Sequence, residues 1–234
     1  MKYRPIIYLI FFIILLTSCT SSTPVTLYSE EQLQDGNIAI KEMMKEAYTA
    51  SIEKSRSAIP SIQNNLLFNE TQKQQFEQAK DLPGIEKRLE TFKKQLIKDL
   101  DPIFDALTGQ ILLWIENLEI SSPYQIILGD KDAVSVLFIN TISPKMNLFL
   151  TEKLINNNSI NDAFKHYLTI INAYVLTGKT SEQRQPEEIV KQWDPSTLST
   201  FLVKAITDEI ATQEAIIRYL APSYDSPFIR LFNK

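Results

Sequence analysis

From Leu27 to the end of the chain, apolar side chains fall at steps of three and four between proline-marked stops, a spacing that leaves room for little but helices. Only five glycines occur in 234 residues, and nowhere do four or more β-branched and aromatic residues alternate with polar ones between turn signals. No sheet is predicted. Hydrophobic residues make up 44% of the chain and charged ones 22%, enough to build a packed core and too apolar for a disordered polymer. The expected fold class is all-α, a single irregular multi-helix bundle.

A first helix is expected from about Ser29, with Gln32 at the capping-box position and an interruption at Asp35-Gly36-Asn37. Ser57 to Asp81 reads as a loop followed by a short helix from Glu70. Pro83-Gly84 opens a clear helix whose Ile85, Leu89, Phe92, Leu96 and Leu100 lie on one stripe. Asp101-Pro102 then reads as the N-cap and first residue of a separate helix carrying Ile103, Phe104, Leu107, Ile111, Trp114, Ile115 and Leu118. Ser122-Pro123 starts a short helix stopped by Gly129, placed where a left-handed residue is usual, so Gly129→Val is expected to cost roughly 1 kcal/mol or more. Asp130 is expected to cap the next helix, with Ala133, Val134, Leu137 and Phe138, before Ser143-Pro144 repeats the start signal. Asn156-Asn157-Asn158 is a turn, Ile160 to Leu176 a helix ended by Gly178, and Thr180 to Pro186 an exposed charged loop. Asp194-Pro195 starts a last long helix with Leu198, Phe201, Leu202, Ala205, Ile206, Ile210, Ile217 and Leu220, broken at Pro222. The Asp-Pro and Ser-Pro starts at 101, 122, 143 and 194 keep no steady period, so a solenoid is not expected.

The first nineteen residues carry an address. Lys2 and Arg4 precede an eleven-residue apolar run, Ile6 to Leu16, and Leu16-Thr17-Ser18-Cys19 follows at once. Eleven helical residues span roughly 16 Å, short of the ~30 Å hydrocarbon core, which disfavours a permanent transmembrane anchor. The four residues ending at Cys19 resemble the lipobox of bacterial lipoproteins, in which the cysteine becomes the lipidated first residue. The chain then divides into residues 1–18 as a cleaved signal peptide, 19–28 as lipidated Cys19 and a small, polar, Pro-containing flexible tether, and 29–234 as the all-helical domain. Thr20 lacks the Asp that, in Gram-negative lipoproteins, favours inner-membrane retention. That resemblance implies an outer-membrane protein facing the periplasm where the organism has two membranes.

Cleavage removes Lys2 and Arg4 from the 24 basic side chains and no acid from the 28, leaving the mature chain at −6. A body of that charge has no electrostatic reason to lie flat on an anionic bilayer or to bind a phosphate backbone, so nucleic acid is not an expected partner. One His and one Cys in the chain exclude zinc fingers, Cys-rich iron–sulfur sites and internal disulfides.

The run Ser122-Pro123-Tyr124-Gln125-Ile126-Ile127-Leu128-Gly129-Asp130-Lys131-Asp132-Ala133-Val134-Ser135-Val136-Leu137-Phe138 resembles a segment of an uncharacterised bacterial envelope family known as domain of unknown function 4197. The helix from Leu198 to Arg218, with Lys204-Ala205, Glu209 and Glu214-Ala215-Ile216, is similar to that family's C-terminal segment, and Phe228-Ile229-Arg230-Leu231-Phe232 to its basic-aromatic tail. Leu137-Phe138-Ile139-Asn140 stands where the family carries Tyr-Phe-Arg-Arg. The resemblance implies an all-helical fold in the envelope and no established activity.

Candidate chemistry is sparse. Gly-x-Ser-x-Gly, His-Glu-x-x-His and P-loop patterns are absent, and no cofactor is implied. His166, between Phe164 and Tyr167, suits either a general base or a partly buried aromatic with a backbone partner. Glu209 and Glu214 flank the last helix's apolar stripe, as Glu116 and Glu119 flank that of Trp114. They suit either acid–base work or ion pairs with Lys204 or Arg218. Asp130-Lys131-Asp132 fails as a calcium loop because Val134, Ser135 and Thr141 stand at loop positions 5, 6 and 12, where an oxygen ligand, a glycine and a glutamate belong, and it reads as a helix start with no metal. Asn157-Asn158-Ser159 matches a glycosylation acceptor by accident in a chain with a bacterial lipobox. Twelve Phe and nine Tyr allow an interior roomy enough for an apolar ligand, against ordinary core packing. The C-terminal Phe228 to Phe232 segment either docks on the bundle or offers itself to a partner. The residues set aside as pocket or interface candidates are Tyr124, Gly129, Phe138, His166, Glu209, Phe228 and Phe232. The partners expected are a membrane, through the lipid on Cys19, and an unidentified protein or apolar ligand.

Overall fold

The computed structural model describes residues 28–59, 62–63, 66–177 and 192–233. The signal segment, Cys19, Gly178 and the loop from Thr180 to Pro186 lie outside them. Among the described residues are eight α-helices and no strand: α1 (Glu30–Ala58), α2 (Glu70–Ala79), α3 (Ile85–Glu116), α4 (Pro123–Ile127), α5 (Ala133–Thr141), α6 (Ser143–Ile155), α7 (Asn158–Thr177) and α8 (Ser196–Leu220). Two 3₁₀ turns, Ala221–Ser223 and Ile229–Phe232, close the chain. This is the all-α bundle that the spacing predicts.

Local chemistry sets the helix starts. Ser29 and Gln32 form a reciprocal capping box, the Gln32 N–H donating to Ser29 Oγ at 3.2 Å and the Ser29 N–H to Gln32 Oε1 at 2.9 Å. Asn69 and Gln72 do the same for α2, which begins at Glu70 as expected. Pro83-Gly84 makes a tight turn in which Gly84 takes a left-handed φ of 83° before α3 begins. Pro123 occupies the first position of α4, and α8 ends before Pro222.

Two expected breaks do not occur. α3 runs through Pro102 without stopping, as one helix of 32 residues and about 48 Å. Pro102 leaves the Lys98 carbonyl without its helical donor, but the ring sits on the exposed side, and the buried stripe from Ile85 to Ile115 continues across it. Burial of that stripe outweighs one missing backbone bond. α1 likewise passes through Asp35-Gly36-Asn37. Gly36 lies against α4, where an added Cβ would stand 2.8 Å from Pro123 Cβ and 3.0 Å from Pro123 Cγ. The glycine there permits close approach and interrupts nothing.

Two further expectations are corrected at the α4–α5 turn. Gly129 does not adopt positive φ; among the described residues Gly84 alone does. A Cβ at Gly129 would meet the Gln125 carbonyl oxygen at 2.7 Å, so its small size answers to crowding. Asp130 is not the cap of α5: the cap position is Asp132, whose side chain makes no capping bond.

α1 and α8 form the centre. Lys54 of α1 pairs with Glu209 of α8, and Glu42 accepts from Ser226 beyond the end of α8, so the two helices run antiparallel. Ala39, Ile40, Met43, Met44, Ala47 and Tyr48 of α1 are buried, as are Leu198, Leu202, Ile206 and Ile210 of α8. Phe201, expected in that stripe, is 39% exposed on a flank of α8 that its neighbours leave uncovered. α3 also runs antiparallel to α1, with Tyr48 hydroxyl and Thr108 Oγ1 3.2 Å apart and an ion pair from Arg56 to Asp105. Burial pushes the Tyr48 phenol up to about 12, with the Thr108 contact opposing it.

A second cluster gathers where α3, α7 and the residues before α8 meet. Phe92 lies 5.4 Å from Phe164 and meets Trp193 edge-on at 5.3 Å; Phe68 stacks on Tyr167 at 5.6 Å. The Trp193 indole N–H is satisfied by the Leu67 carbonyl at 2.7 Å. No single described helix is long and apolar enough to cross a membrane. α5 and α6 together pass by length and composition but are bent by 44°.

Candidate functional site

The sequence candidates on α8 separate by environment. Glu214 is fully buried, and its carboxylate does the work that Asp130 was expected to do. Glu214 Oε1 accepts from the Val134 N–H at 3.0 Å, and Oε2 from the Ser135 N–H at 2.6 Å and the Ser135 hydroxyl at 2.5 Å. It caps α5 from 80 residues away, where the helix dipole favours negative charge. Arg218, one turn along α8, donates from Nε to Glu214 Oε1 at 2.9 Å and from Nη1 to the Ile127 carbonyl at 3.0 Å, at the end of α4. Its guanidinium also lies 4.7 Å from the Phe232 ring centre. One buried ion pair therefore ties α4, α5, α8 and the C-terminal turn together. Every lone pair and proton it commits is committed to the fold.

Glu209 does not join that pair. It faces α1, where Lys54 Nζ donates at 2.6 Å, while Gln213 Nε2 donates to its other oxygen at 2.7 Å. Burial alone would raise its carboxyl, but these two hydrogen bonds hold it below the ordinary value. The ion partner is Lys54, not Lys204, which pairs with Asp208. Glu116 is exposed at the end of α3 and pairs with Lys45.

His166 stands on α7, a different helix from both glutamates. It is exposed, and its main-chain carbonyl accepts from Arg88 at 2.7 Å. The expectation of a partly buried ring therefore fails: Phe164 and Tyr167 turn inward and leave His166 on the solvent side. Phe138 and Phe232 are buried packing residues, Phe138 against Tyr48 at 6.3 Å. Phe228 is half-buried, so the C-terminal segment docks on the bundle. Tyr124 is half-buried and stacks on Tyr28 at 4.2 Å. Gly129 turns the chain beside the Arg218 contact.

A concave surface lies elsewhere, at the start of α7. A partly open pocket of about 300 Å³ is lined by Asn158, Asn161, Phe164, Lys165, Gln192 and Trp193. The first four share one face of α7 at spacings of three, six and seven, while Gln192 and Trp193 come from the segment leading to α8. Phe164 and Trp193 are buried and form the apolar floor. The indole N–H is already committed to Leu67, so Trp193 offers only ring surface. Asn161 donates to the Ile155 carbonyl at 2.5 Å; Lys165 pairs with Asp162 at 3.1 Å. The lining contains amides, an ammonium and aromatic faces, a set suited to holding a small amphipathic molecule.

None of the pocket residues except the core aromatics stood out in the sequence. The spacing of Asn158, Asn161 and Lys165 was a readable signal of one polar helix face. The contribution of Gln192 and Trp193, some thirty residues away, had none. Among the described residues no group of three or more His, Cys, Asp or Glu is placed to hold a metal ion. No family model, curated protein or solved structure matches the chain.

Proposed function

We propose that this is a lipid-anchored bacterial envelope protein, held to the membrane through Cys19, whose helical domain acts by binding or by envelope architecture. The observation that carries the reading is the placement of the chain's sole cysteine directly after Leu16-Thr17-Ser18 and an apolar run too short to span a bilayer. Several acyl chains at about 0.8 kcal/mol per buried methylene would hold such a body firmly. An outer-membrane, periplasm-facing location and kinship with domain of unknown function 4197 belong to the same proposal. They rest on Thr20 and on the Ser122 to Phe138 segment.

A binding role is favoured over a hydrolytic one because Glu209, Glu214 and His166 do not converge. Glu214 is consumed in capping α5, Glu209 is paired across α1 and α8, and His166 is exposed on another helix. Palmitate labelling in cells tests the anchor: wild-type protein takes up label and floats with membranes, while Cys19→Ser does neither. A Cys19→Ser protein that stays equally membrane-bound refutes the reading.

The pocket on α7 supports a second, narrower reading, a carrier or sensor of a small ligand. Its volume sits at the lower end of the usual range, and its rim is amide-rich, which fits a compact amphipathic molecule better than an acyl chain. Native mass spectrometry of gently extracted protein tests this. A retained small molecule that is lost in Lys165→Met supports it, and a ligand-free domain from every extract refutes it.

A further inference from the structure

We propose that one end of the bundle, built from the last turns of α8 and the end of α4, is a bilayer-contact face. The proposal rests on the lipid anchor at Cys19. Ile216, Tyr219 and Leu220 are 44%, 85% and 41% exposed, and their spacing of three and four places them in one stripe on the outer side of α8. Leu128, 57% exposed, follows Ile127, whose carbonyl is held by Arg218 on the same turns of α8. The inner side of those turns is already used, with Glu214, Ile217 and Ala221 buried. The stripe is therefore an added apolar surface on an element whose packing face is complete.

The occupant follows from where the chain emerges. α1 and α8 run antiparallel, so α1 begins at the end where α8 finishes. Tyr28 is fixed there by stacking on Tyr124, and Gly36 by its approach to Pro123. Cys19 lies nine residues before Tyr28, a reach of at most about 32 Å for an extended chain. An acyl group on Cys19 therefore pins this end close to the bilayer, whereas the far end of α8 is about 37 Å further along its axis. A stripe of four side chains is far short of the ~800 Å² per partner that a stable protein interface needs. For a tethered domain it needs only to orient, because the tether supplies a millimolar-scale effective concentration.

Charge decides the kind of contact. Exposed Glu30, Glu31, Asp130, Asp132 and Asp225 outnumber Lys131 and Arg230 at this end. The face is acidic, so anionic lipid does not attract it. Tyrosine and aliphatic side chains at the headgroup level carry the contact, as in interfacial belts.

The test uses full-length acylated protein in phosphatidylethanolamine vesicles, with and without phosphatidylglycerol. An environment-sensitive fluorophore is placed at Tyr219→Cys or, as the distant control on α2, at Lys73→Cys; acylated Cys19 offers no competing thiol. The expected result is a blue shift and several-fold stronger quenching by brominated lipid at position 219 than at position 73, unchanged by phosphatidylglycerol. In Tyr219→Asn/Leu220→Asn carrying the fluorophore at Leu128→Cys, flotation persists and quenching is lost. Vesicle-bound protein with equal quenching at 219 and 73, or with quenching retained in the double variant, overturns the contact face and leaves the anchor standing. Protein that does not float overturns both. A 219 fluorophore equally shielded in vesicle-free Cys19→Ser protein assigns the stripe to a second copy and overturns the proposal.

Discussion

Replacing Glu214 with Ala removes three hydrogen bonds to the start of α5 and leaves Arg218, only 9% exposed, without its counter-charge. Breaking one side of a buried ion pair costs about 3–5 kcal/mol, and each bond to a charged group about 1.5–3 kcal/mol, with overlap between the two counts. We expect Glu214→Ala to lose about 4 kcal/mol, roughly 8–16 °C in Tm for a domain of this size. Removing both charges separates the contributions. Glu214→Leu/Arg218→Met carries no stranded ion, but the Val134 and Ser135 N–H groups remain orphaned in buried surroundings. The double variant should therefore be about 2 kcal/mol less stable than wild type, well short of the summed single losses. Urea unfolding followed by circular dichroism measures all the corners of the cycle. A Glu214→Ala loss below about 1 kcal/mol, or single effects that add, would refute the description of this pair as the clamp joining α4, α5 and α8.

Four other outcomes follow from the same packing. Gly36→Ala should destabilise by about 1–2 kcal/mol through contact with Pro123, while Gly109→Ala, with nothing within 4 Å, should stabilise by about 0.5–1 kcal/mol; thermal melts read the opposite signs. Pro102→Ala should stabilise α3 by about 1–3 kcal/mol, since it restores a donor to the Lys98 carbonyl; a neutral or negative effect would indicate a helix start at Asp101 after all. Gly129→Asn should cost about as much as Gly129→Val, roughly 1 kcal/mol or more, because crowding at the Gln125 carbonyl penalises any Cβ; a left-handed position would tolerate Asn. The Glu209 carboxyl sits below its ordinary value of 4.5 in the folded state, so its stabilising contribution is complete above that pH and lost as pH falls through the folded value. The stability gap between wild type and Glu209→Gln should therefore shrink on acidification below about pH 4.5, measured by urea midpoints across pH.

Much of the fold was legible because helices are written in short-range order. The Ser29 and Asn69 capping boxes and the buried stripes of α3 and α8 are all encoded within a few residues. The breaks expected at Gly36 and Pro102 do not form, for one reason. Local propensity weighs a glycine or proline against its neighbours, whereas in the bundle Gly36 is set against Pro123 and Pro102 is carried by a stripe buried on both sides of it. The candidate site was less legible. Glu209 and Glu214 look alike on a helix drawing, five residues apart on one element, yet the first meets α1 and the second meets α5. The pocket needed Trp193 brought to α7, a contact no spacing announces.

The order of residues alone determined that this chain is helical and where most of its helices begin, because propensity and capping act over a few neighbours. Tertiary structure alone decided which carboxylate became a buried clamp, which glycines are crowded, that Trp193 and α7 share a pocket, and that Ile216, Tyr219 and Leu220 stay exposed on α8. Those outcomes depend on desolvation and close contact between segments tens of residues apart, and desolvation has no value until the neighbours are in place.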